Sequence, residues 1–223
     1  VLMRLAQDPY NTYSFIRSFH ERHHLPTICF VLFADYGGND NNIQINSKGM
    51  VDLMQSLVHW SDVGVHPSLS SYKHPGRLKK EVEGLGRATG KEITRSRQHF
   101  LKFILPDTFR HLARLGIQDD YSMGYPSHPG FRAGIAHPFR FFDLSANEEI
   151  SLKIHPVPVM DVTFRDYLRL TPEESLSEIK QIIREVRLSN GEFISLWHNE
   201  SLSDTGRWKG WRKLYEEVVA AAE

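Results

Sequence analysis

Cysteine is nearly absent. Cys29 stands alone in 223 residues, so no internal disulfide and no cysteine metal cluster can form. Charge of either sign is missing in excess, since 27 basic residues balance 27 acidic ones. With no broad basic field to hold a phosphate backbone, no nucleic-acid partner is expected. Long hydrophobic runs are also lacking. The longest, TICFVLFA at residues 27–34, is far too short to cross a bilayer, and no membrane insertion is expected. Cys29 lies inside that run and reads as a small buried hydrophobe. The lack of cysteine pairs is compatible with a cytoplasmic setting, which is the expected one.

What is present suffices for a core, with 40% hydrophobic residues in a length that fits one α/β barrel or one large domain. Asp8-Pro9 reads as a cap and first helical turn, opening a helix that runs to about His23. TICFVLFA reads as a fully buried strand. After a Gly/Asn-rich loop, a helix from about Ser47 repeats Met50, Leu53, Met54, Leu57 and Val58 with a 3.6-residue period. DVGVH, ITRSRQHFLKF, QDDYSMG, FRFFDL, LKIHPVPV and EFISLWH read as further strands, with helices from about Pro75, Pro106, Thr171 and Trp208 between and after them. Thr171-Pro172-Glu173-Glu174 has the form of a capping box. Such alternation predicts parallel strands with helices outside, in one domain over residues 1–223.

In folds of that kind functional groups gather after the strands. DVGVH ends in His66, ITRSRQHF carries Arg97 and His99, LKIHPVPVMD delivers Asp161, and EFISLWHN delivers His198 and Asn199. Twelve histidines are many for this length, and three that close apolar strands point to a site.

The pieces GVHPSLSS, SRQHFLKF, YSMGYPSHPGFRAG and LWHN, in this order, resemble the NodB-homology polysaccharide deacetylases, the family-four carbohydrate esterases. The likeness is nearest to a bacterial subgroup with GxHPS, SRQH, GFRAG and WHN, and it runs from about Asp8 to Tyr215. It implies an α/β fold, a distorted (β/α) barrel with about seven parallel strands. It also implies a divalent metal, zinc by expectation, held by one aspartate and two histidines, and hydrolysis of N-acetyl groups on a sugar or polysaccharide precursor.

Carried over residue by residue, His66 matches the first histidine of the metal motif. The second is replaced by Ser70, a poor zinc ligand, and His99 is the candidate replacement. Arg97 resembles the arginine that orients the base, His198 the acid that protonates the leaving amine, and Asp161 the carboxylate supporting that acid. Arg132 in GFRAG, Trp197 and Asn199 are candidates for binding substrate. The family's leading aspartate pair is not found after TICFVLFA; Asp35 lacks that context, and the first strand with its aspartates is expected upstream of Val1.

Each candidate also has a purely structural alternative. His66 can cap a turn before Pro67, and His99 can be a buried histidine bonded to a carbonyl. Arg97 and Arg132 can sit in ion pairs, Asp161 can cap the following segment, and His198 can hold its own loop. His128, His137 and His155 precede prolines and are expected in turns. Trp208 and Trp211 are expected in a core. Three functions stay open: a metal-dependent deacetylase, a non-catalytic carbohydrate-binding or scaffold relative that has lost the metal site, and a hydrolase of a non-sugar amide or imide.

Overall fold

A computed structural model describes residues 8–223. The chain falls into two compact units. One holds Pro26–Met123 and Pro138–His155; the other holds the chain up to Leu25, Gly124–His137 and Pro156–Glu223.

The first unit is built on a six-stranded sheet. Its strands are β1 (Ile28–Leu32), β2 (Asp62–His66), β3 (Arg95–Ser96), β4 (Asp119–Met123), β5 (Phe139–Asp143) and β6 (Glu148–Pro156), in the order β1-β2-β3-β4-β6-β5. β1 to β4 run parallel, with Leu32 beside His66 and Val65 beside Ser96. Parallel neighbours need a crossover, and α2 (Lys48–Leu57), α3 (Pro75–Thr89) and α4 (Asp107–Arg114) supply the three. Each crossover helix buries one apolar stripe: Met50, Met54 and Leu57 of α2, Leu78, Val82 and Leu85 of α3, Phe109 and Leu112 of α4. Ser47 caps α2, its side chain accepting from the Met50 amide. Gly64 lets β2 pass close to its neighbours, because a Cβ there would stand 2.6 Å from the Phe30 ring and 3.0 Å from the Arg95 carbonyl.

β5 departs from the expected parallel order. It runs antiparallel to β6 as a hairpin, with an irregular register between Arg140 and Phe142. Buried Asp143 accepts two bonds from Arg110 of α4 and ties the hairpin down. His155 is likewise no turn residue. It lies in β6, bonds Asp119 at 2.8 Å and stacks on Tyr121 at 4.4 Å.

The second unit pairs β7 (Val159–Met160) with β8 (Ser195–Leu196) in parallel, crossed over by α5 (Pro172–Leu188). The capping box at Thr171 and Glu174 is formed in both directions. α5 and α6 (Trp211–Ala222) enclose a core of Val159, Phe164, Ile179, Ile183, Trp208, Trp211, Leu214 and Val218. Phe19 of α1 (Tyr13–His23) packs with Leu202, Tyr215 and Val219. α1 starts later than the sequence suggests, because the Asp8 carboxylate turns back to the Tyr10 amide and Thr12 becomes the cap position. Among the described residues no helix is long and apolar enough to cross a membrane.

Candidate active-site groups at the strand ends

In the first unit the end of β2 meets the segment after β3. His66 closes β2, and its Nδ1 donates to the Arg97 carbonyl at 2.6 Å. A carbonyl can only accept, so in this bond the proton sits on Nδ1, and the tautomer and ring orientation of His66 are set. His99 is fixed in the same manner by a carboxylate: its Nδ1 lies 2.8 Å from Asp40 Oδ1. The His66 and His99 rings are 4.7 Å apart at 58°.

Asp40 comes from the Gly/Asn-rich loop after β1. The same Oδ1 accepts from the Leu69 amide at 2.9 Å, while Glu81 of α3 accepts from the Ser68 amide at 2.9 Å. Two acids therefore pin the turn after His66. Burial pushes the Glu81 carboxyl up, its bonds from Ser68 pull it down, and the net direction is up. Ser70, where the resemblance would place a second histidine, accepts from Arg77 at 2.8 Å.

Arg97 is buried, with its guanidinium over the Phe30 ring at 5.3 Å. Its amide donates to the Val65 carbonyl, which extends the sheet by one bond past β3. There the strand stops, because the next amide, Gln98, donates to the Ser122 hydroxyl at 2.8 Å. Ser122 in turn bonds Asp120, which also takes the Ser96 hydroxyl at 2.6 Å. Asp120 thus anchors both flanks of Arg97, and through the Arg97 carbonyl it steadies His66. Burial raises its carboxyl to about 6 against the bonds from Ser96 and Ser122.

In the second unit β7 and β8 deliver an acid and a histidine. Asp161 is buried, and its Oδ2 accepts from the His198 amide at 2.7 Å. Its Oδ1 accepts from the Val162 amide at 2.7 Å and from His198 Nδ1 at 2.7 Å. Desolvation alone would raise the Asp161 carboxyl; the positive charge of protonated His198 and bonds from His198 and Ser201 outweigh it and hold it below the usual range. The His198 side chain is 41% exposed while that of Asp161 is wholly buried. A sheltered carboxylate behind a half-open imidazole is the arrangement that lets a histidine hold and hand over a proton.

The remaining candidates have structural partners. Arg132 reaches the Gly124 carbonyl at 3.4 Å. Trp197 packs among the second unit's core side chains, crosses Tyr215 at 5.0 Å, and bonds Ser195. Asn199 donates to the Tyr10 carbonyl at 2.6 Å and accepts at its own carbonyl from Thr12. Trp208 and Trp211 are core residues, edge to face at 5.3 Å. A cleft of about 400 Å³ between α5 and α6 is lined by Ile183, Val186, Arg187, Asn190, Gly191, Phe193 and Ala222 and contains none of the candidates.

His66 and His99 fit a metal in kind. Each has its Nδ1 secured by an oxygen, the outer support that ligating imidazoles show, and a carboxylate accompanies them. Among the described residues no three imidazole, thiolate or carboxylate groups surround one point closely enough to hold an ion together. The two rings lie together, and a complete cage is not formed among the described residues.

No known family profile matches the sequence, and no curated protein does. Solved structures do match. A candidate polysaccharide deacetylase from Mycobacterium smegmatis aligns with TM-score 0.67 at 17% identity, over 95% of this chain and 72% of that one. Puue allantoinase aligns with TM-score 0.61 at 10% identity, over 92% of this chain and 65% of that one. At such identities the likeness establishes the fold: the chain is an α/β protein with a mostly parallel sheet, as the resemblance to NodB-homology deacetylases implies.

Proposed function

We propose that the protein is a zinc-dependent amide hydrolase that removes acetyl groups from an N-acetylated sugar or polysaccharide precursor. One observation carries the reading. Three histidines close or follow strands, and in each Nδ1 is bonded to a built-in oxygen: of the Arg97 carbonyl, Asp40 and Asp161. Such bonds fix tautomer and ring orientation, the outer support that ligating and proton-carrying imidazoles use.

His66 and His99 would hold the ion through Nε2, with a carboxylate completing the set. A bound divalent ion would polarise the amide carbonyl. Within the second unit His198, backed by buried Asp161, is the group fitted to protonate a leaving nitrogen. In such a step a carboxylate base takes the proton of the water that adds to the carbonyl carbon, and as the C–N bond breaks the imidazolium Nε2–H passes to the amine, with Asp161 balancing the imidazolium beforehand. Asp161 is committed to that duty, since both of its oxygens accept from His198, and Oδ1 also from the Val162 amide. Arg97 positions His66 through its carbonyl.

The test is acetate release from chitotetraose by zinc-loaded protein, set beside ring opening of allantoin. Acetate release that is lost on chelation and restored by zinc supports the deacetylase. Ring opening of allantoin alone would assign the site to a non-sugar amide, in keeping with the second structural match. Zinc-independent binding of chitotetraose without turnover would make the protein a carbohydrate-binding relative.

A further inference from the structure

The segment that carries His99 is strained, and the strain falls on its neighbour. Phe100 and Leu101 have φ of +54° and +52°, a region that residues with a Cβ enter at a cost and rarely in succession. Two bonds hold the turn, Leu101 N–H to the Gln98 carbonyl at 3.0 Å and Lys102 N–H to the His99 carbonyl at 3.1 Å. Leu101 gains burial in return, at 5% exposure. Phe100 does not, since 54% of it is exposed. Asparagine or glycine would adopt the same backbone with less strain. The Phe100 ring lies flat on His99, centroids 4.5 Å apart at 16°.

A costly conformation that presents a large apolar ring to solvent, beside a histidine bonded to a buried acid, is what function retains against stability. We propose that Phe100 is the platform on which the substrate's sugar ring stacks next to His66 and His99. The apolar C–H face of a pyranose complements an aromatic face. Stacking there sets the sugar beside the nitrogens that hold the ion, so the platform favours ring-bearing acetamides over linear ones. This inference rests on the deacetylase reading above.

The experiment uses zinc-loaded wild type, Phe100→Asn and Phe100→Tyr, with chitotetraose as substrate and ligand. Asparagine tolerates the backbone and removes the ring; tyrosine keeps the ring. Phe100→Asn is expected to raise KM and Kd about 10- to 100-fold, with KM rising more than kcat falls. Its zinc affinity is expected to hold and its Tm to rise as strain is relieved. Phe100→Tyr is expected to stay near wild type. Unchanged KM in an active Phe100→Asn overturns the platform and leaves the deacetylase standing. Zinc affinity and Tm falling together in Phe100→Asn also overturn it, because the ring would then serve only His99 and the turn. A wild type that neither binds nor deacetylates chitotetraose overturns both proposals.

Discussion

Asp161, just after β7, and Asp120, inside the start of β4, are both wholly buried, one in each unit, yet their acidities move in opposite directions. Asp161 faces a histidine and is held below the usual carboxylate range. Asp120 is bonded by two serine hydroxyls and one amide, feels His155 only as the weakest influence, and is lifted by burial to about 6. Hydrogen bonds are plentiful at both, so their number does not separate the two. The difference is a directly bonded partner that can carry charge. A neutral network holds a backbone in place, while an acid paired to an imidazole stores a proton. By that criterion the first unit uses its buried acid to fix the segment of Arg97 and, through it, His66, and the second sets its own against His198.

Breaking the second pair should have the larger effect. His198→Asn in active protein is expected to lower turnover by roughly 10²- to 10⁴-fold with zinc content intact. The same change should raise the Asp161 carboxyl towards the behaviour of Asp120, which side-chain carboxyl titration by NMR would record. Unchanged turnover would return His198 to holding its own loop.

A smaller, opposite effect is expected at Asp120. Its folded value of about 6 exceeds its unfolded value, so the folded state binds the extra proton between about pH 4 and 6. Stability from this group is therefore present below that window and is lost as pH rises through it, on the order of 3 kcal/mol. Asp161, with a depressed value, runs the other way: its contribution is present at neutral pH and is lost as pH falls through the folded value. Urea unfolding across this range should show Asp120→Asn flattening the upper slope. A slope that Asp120→Asn leaves intact would mean the acid is ionised throughout.

Much of this is legible in the residues. Apolar strands ending in His66 and His198 stand out, as do helices whose 3.6-residue stripes and caps lie where the packing places them. Asp40 does not stand out, because its meeting with His99 across 59 residues depends on how a Gly/Asn-rich loop folds, and no periodicity encodes that. Asp120 hides beside Asp119 in a segment that reads only as a strand. The hairpin direction of β5 is also invisible: FRFFD alternates equally well in either direction. His155 departs from expectation because a histidine before proline fits a turn as well as the last residues of a strand.

Calorimetric titration of zinc into wild type, His66→Ala and His99→Ala tests the central claim most directly. One site per chain is expected in the wild type, with binding abolished by either substitution while both variants stay folded by circular dichroism. Full stoichiometry and affinity surviving in both would contradict the account and place any metal away from His66 and His99.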